Sequence, residues 1–168
     1  MERTALAFYR LLMLLACAAM LAAFVAVALG ITARLARWDL PGLDAYAGYA
    51  IAAALFLALP GTLVRGEHIR VTLVLDRVPL RLRAALQWWG LAAALGLSAY
   101  MAWFAVRLAW FSWATDDVST GADATPLWIP QLALALGCAG FALAFLHALL
   151  RHCRGDELIA GGELARTE

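Results

Sequence analysis

Four stretches of this chain run for twenty residues or more without a single charged side chain: Leu11–Ala33, Ala45–Val64, Ala84–Val106 and Leu127–Leu150. About 20 helical residues cross a hydrocarbon core of roughly 30 Å, so each stretch is long enough to span a bilayer. The third continues past Arg107 to about residue 112. The expected fold is an all-α membrane protein with four transmembrane helices over about 11–33, 45–64, 84–112 and 127–150. They form one integral-membrane domain, followed by a polar tail over 151–168. Composition agrees, at 65% hydrophobic and 15% charged residues with a mean hydropathy of +0.80. A water-soluble chain this apolar would have too little polar surface to stay monomeric.

The longest polar interruption, Arg65 to Arg83, reads R-G-E-H-I-R-V-T-L-V-L-D-R-V-P-L-R-L-R and divides the chain into two apolar halves. It holds five of the 13 basic residues, all of which are arginine. Ile69, Val71, Leu73 and Leu75 alternate as in a strand, whereas Val71, Val74, Leu75 and Val78 line one side of a helix. A lone strand at a membrane edge would leave backbone groups unpaired, at several kcal/mol each in an apolar setting. A short interfacial helix ending before Pro79 is therefore expected, with arginines reaching headgroups while Leu and Val dip inward.

Arginine placement also sets the expected topology. Arg3 and Arg10, the five of the middle loop, and Arg151 and Arg154 fall on one side of four crossings; only Arg34 and Arg37 fall on the other. The loop between the third and fourth spans is purely acidic, with Asp116, Asp117 and Asp123. Positive charge is retained inside, so both termini and the arginine-rich loop are expected in the cytoplasm. Trp88 and Trp89 at one end of the third span, and Trp103, Trp110 and Trp113 towards the other, mark two interfacial belts. Arg107, among the latter, reads either as a functional charge or as a side chain snorkelling to water.

Smaller features add local expectations. Alanines 18, 22 and 26 form a stripe that would admit a neighbouring helix or simply fill space. Pro60-Gly61 should kink or end the second helix, and Pro130 suits the first turn of the fourth. Cys17, Cys138 and Cys153 are too few and scattered for a disulfide scaffold or metal cluster. The first apolar run is long enough to span and is followed by a membrane-type loop, so it is expected to be a retained helix and not a cleaved signal peptide. The net charge of +1 gives no reason to expect nucleic acid.

Chemistry is sparse. No span carries a carboxylate near its middle, where a self-sufficient transporter, including the small four-helix multidrug exporters, places its coupling charge. A haem-bearing redox anchor needs axial ligands; His147 lies in the fourth span and His68 in the middle loop. No phosphate-binding glycine loop or Ser/His/Asp grouping occurs, and neither catalysis nor a cofactor is expected. The densest polar set is Arg65, Glu67, His68 and Arg70, which either binds lipid phosphates at the interface or docks a partner subunit. A redox-enzyme anchor and a small transporter working alone are the two rival functions.

The segment Arg65-Gly66-Glu67-His68-Ile69-Arg70-Val71, followed by Leu73, Asp76-Arg77, Pro79 and the Arg81/Arg83 pair, resembles the pattern of the small DctQ-like permease subunit of tripartite ATP-independent periplasmic (TRAP) transporters. Asp44 and Tyr49 stand where that family often has an acidic residue and Tyr, and Asp123 to Pro130 resembles a subset of it. The chain departs from the pattern at Ala45 and Gly48, where an acidic residue and an Arg are common. The resemblance implies a non-enzymatic subunit in the bacterial inner membrane. It would brace a large permease subunit that imports an organic acid on an ion gradient, the solute being delivered by a periplasmic solute-binding protein. The residues it marks for contact with a partner or with membrane lipids are Asp44, Arg65, Gly66, Glu67, His68, Arg70, Arg77, Arg81 and Arg83.

Overall fold

The computed structural model describes residues 2–65, 79–121 and 124–153. Within them lie four helices: α1 (Glu2–Ala36), α2 (Leu43–Val64), α3 (Leu80–Ala114) and α4 (Trp128–Cys153). All four are long and apolar enough to cross a membrane, and no strand forms among the described residues. The short interfacial helix expected between the second and third spans falls on residues 66–78, outside those described. At about 1.5 Å per residue, α2 and α4 measure roughly 33 and 39 Å, close to one bilayer core. The 35-residue helices α1 and α3 measure roughly 52 Å and must tilt or project beyond it.

The helices pack in the spatial order α1, α2, α4, α3, so α2 and α4 are central and α1 and α3 lie outside. Small residues recur at each interface, as close helix packing in a membrane favours, with Tyr9, Leu12, Leu57 and Leu63 added between α1 and α2. On α3 the packed face is a narrow stripe of Ser98, Ala102, Ala105, Ala109 and Ser112, repeating every three or four residues. On α1 it is Leu12, Ala16, Ala23 and Ala33. The stripe at 18, 22 and 26 is thus not the one used within the chain: Ala18 and Ala22 are exposed and Ala26 is half-buried. The neighbouring α2 sits on the adjacent face because that face also carries the larger anchors Tyr9 and Leu12.

The backbones of α2 and α4 come close together at Gly137. Pro60 does not end α2, which continues to Val64, and its ring is the largest fully buried side chain. Having no N–H, Pro60 cannot bond the carbonyl one turn back, that of Phe56. Gly137 of α4 sits against this carbonyl, and a Cβ there would collide with the Phe56 backbone. Gly140, one turn on, meets Pro60 and Leu12: a Cβ would lie 2.9 Å from the Pro60 Cγ and 2.8 Å from the Leu12 Cδ1. The proline frees a carbonyl, and the facing glycine gives room for a backbone Cα–H to approach it.

Where α1 passes to α2 and α3 to α4, the chain turns tightly. Both α1 and α3 finish with a residue in the left-handed region, Arg37 (φ 57°) and Asp116 (φ 50°). The next amides, of Trp38 and Asp117, donate back to the Ala33 and Ser112 carbonyls at 2.8 and 3.0 Å, closing Schellman caps without glycine. Between α3 and α4, Val118 bridges Pro126, and the Leu127 amide donates to the Asp117 carbonyl at 2.9 Å.

Candidate functional site

The residues marked by the arginine-rich motif divide between the two ends of the molecule. Arg65 caps α2, its amide donating to the Gly61 carbonyl at 3.1 Å. Gly66, Glu67, His68, Arg70 and Arg77 lie outside the described residues, while Arg81 and Arg83 stand in the first turn of α3. Asp44 is elsewhere: it opens α2 at the opposite end, about 32 Å of helix from Arg65. There the Arg34 guanidinium donates to its carboxylate at 2.7 Å. Arg34 closes α1 and Asp44 opens α2, so each charge faces the helix end that favours it. Both side chains are mostly exposed (72% and 84%), so the pair orders the connection and adds little stability. Beside it, the Thr125 hydroxyl donates to the Tyr46 hydroxyl at 3.2 Å and ties the α3–α4 loop to α2. Tyr46 also meets Tyr49 edge to face.

At the end where α1 begins and α4 finishes, two histidines of α4 reach in different directions. His147 shares a 2.7 Å hydrogen bond through Nδ1 with the hydroxyl of Tyr9 on α1, which is buried with Leu63 and Ala144. His152, about 140° further round the helix, packs against Trp88 of α3 with ring centroids 4.9 Å apart and the rings tilted by 55°. The end of α4 therefore links both outer helices. Tyr9 carries no spacing signal in the sequence, 138 positions from its partner. Gly137 and Gly140 are also invisible as contact points until α2 and α4 are placed side by side.

This arrangement is suited to holding helices together. Among the described residues, no three His, Cys, Asp or Glu side chains gather as a metal-ligand set. What the molecule presents in quantity is apolar surface. Leu14, Leu21, Phe24 and Leu35 on α1, and Trp89, Leu97, Trp103, Trp110 and Phe111 on α3, are exposed. In the spanning parts of α1 and α3 only 17% and 11% of residues are buried, against 33% and 28% in α2 and α4, so the outer helices face something beyond this chain.

Residues 24–155, most of the chain, match the family model described as "Tripartite ATP-independent periplasmic transporters, DctQ component". No curated protein and no solved structure matches.

Proposed function

The chain belongs to the DctQ family of TRAP transporter components, and on that premise we propose that it braces the large permease subunit during ion-gradient-driven uptake of an organic acid. Membership makes it a small membrane subunit of a transporter, and its four spans make it a multi-pass membrane protein. The family implies association with a large permease and a periplasmic solute-binding protein. The observation that carries the bracing role is the contrast in burial. The central helices are closed on one another by small residues, while the outer two leave broad apolar faces uncovered. A surface of that extent on a membrane protein fits a second membrane protein and the surrounding lipid.

The arginine-rich segment and the Arg65 cap then lie on the cytoplasmic side, with both termini, and the acidic loop after Asp117 lies in the periplasm of an inner-membrane protein. Residues 65–83 there contact lipid headgroups or the large subunit. Reporter fusions after Asp117 are expected to be active only in the periplasm; activity in the cytoplasm reverses the orientation. The decisive measurement is reconstitution. The chain alone should give no solute uptake, it should co-purify with the large subunit, and adding it should restore uptake that the large subunit lacks without it. Uptake by this chain alone overturns the bracing role.

A further inference from the structure

The packed stripe of α3 is occupied by Ser98, Ala102, Ala105, Ala109 and Ser112. Arg107 lies about 160–200° round the helix from Ala105 and Ala109, diametrically outward. It is exposed, and among the described residues no ion pair or hydrogen bond engages it. Its neighbours on that outward face are all large and apolar or aromatic. Trp103 and Trp110, one turn before and after it, are 69% and 67% exposed, and Phe104 and Phe111 flank it on the other side. Among the described residues, none supplies this arginine with a counter-charge.

The tryptophans fix its depth. Trp89 and Trp110, both exposed, are separated by about 32 Å of helix, which matches a hydrocarbon core of roughly 30 Å. They therefore stand at the two interfaces. Arg107 lies one turn inside the Trp110 belt, about 4.5 Å towards the middle of the membrane. From there an arginine stem runs along apolar surface and its guanidinium rises to the headgroup level. The anion present at that level, in quantity, is the phosphodiester of a phospholipid. A guanidinium fork matches two of its oxygens, and an indole N–H is a further donor at the same depth.

We propose that Arg107, with Trp110, is a phospholipid-binding site on the outward face of α3, seating the lipid phosphodiester in the leaflet nearest the 115–127 loop, with Trp103 below it against the acyl chains. The site is at the opposite end of α3 from Arg81 and Arg83. It requires only that α3 crosses a bilayer, so it stands or falls apart from the bracing role. It also assigns this part of α3 to lipid, leaving the exposed face of α1 as the open surface for a protein partner.

Native mass spectrometry of the full-length chain titrated with phosphatidylglycerol tests the site. Wild type should retain one more tightly held phospholipid than Arg107→Leu, with about a tenfold loss of that bound species, the scale of one charge-assisted hydrogen bond. Arg107→Lys should retain part of it, and Arg34→Ala, at an exposed arginine near the same leaflet, should behave as wild type. Equal retention by wild type and Arg107→Leu overturns the proposal. If Arg107→Leu does not fold, a photo-crosslinking residue at Phe104, with Arg107 intact, gives the answer in membranes. An adduct of phospholipid mass supports the site, and an adduct to a polypeptide shows that a protein carboxylate takes this place instead.

Discussion

The central pair α2/α4 and the outer pair α1/α3 are all apolar helices, yet they use their residues in opposite ways. In the central pair the critical positions are the smallest available. Gly137 and Gly140 bring α4 against Phe56 and Pro60, and the rings and backbone of α2 fill the space. In α3 the buried small residues form one thin stripe, and from Leu97 to Trp113 every large side chain is exposed. Glycine is thus a packing residue in one place and a spectator in the other: Gly90 and Gly96 of α3 have nothing within 4 Å of an added Cβ. The comparison teaches that burial within this chain follows three interfaces that converge on α2 and α4, while the large side chains of α1 and α3 are addressed to their surroundings.

The sharpest way to break this contrast is Gly137→Leu. The side chain would enter the Phe56 backbone, which cannot swing aside, and a loss of more than about 3 kcal/mol is expected. In practice little monodisperse protein should survive size-exclusion chromatography in detergent; a wild-type elution profile and melting temperature would show that the seam is not as close as described. Gly137→Ala should be milder but still destabilising, by about 1–3 kcal/mol. Tyr9→Phe removes the hydroxyl bonded to His147 and should cost about 1 kcal/mol in thermal stability. His147→Ala on a Tyr9→Phe background should then add less than it does alone.

Gly96→Ala sharpens the comparison from the other side. With open space around it and a better helix former in place, stability should be unchanged or rise by up to about 1 kcal/mol. Opposite signs for Gly137→Ala and Gly96→Ala in one thermal-shift series would separate the seam from the outward face. Smallest of all, Arg34→Ala should shift stability by no more than about 0.5 kcal/mol, because both partners of the ion pair are solvent-exposed.

How much of this was legible in the sequence depends on the kind of signal involved. Uncharged runs and tryptophan belts announced four crossing helices, because the cost of burying charge in lipid acts on every residue of a span. The family followed from the segment beginning Arg65-Gly66-Glu67-His68. Pairwise contacts were hidden. The alanines at 18, 22 and 26 have the periodicity of an interface, as do Ala16, Ala19 and Ala23, and periodicity alone cannot choose between two adjacent faces of one helix. Pro60 read as a kink or a helix end because its local cost is visible, whereas the facing Gly137 that accommodates it is 77 positions away. Asp44 and Arg65 were marked together by family pattern, yet they lie at opposite ends of α2.

The carbonyl of Phe56 and the bare Cα of Gly137 also limit how this subunit can move. Were α4 to slip along α2 by a turn, Ala133 would arrive where Gly137 stands in one direction and its methyl would strike the peptide plane; in the other, Gly140 would take that place but Leu143 would arrive where Gly140 meets Pro60 and Leu12. No ratcheting is open to these two helices. Any stroke performed by the assembled transporter must leave α2 and α4 locked in phase and carry them as one solid strut.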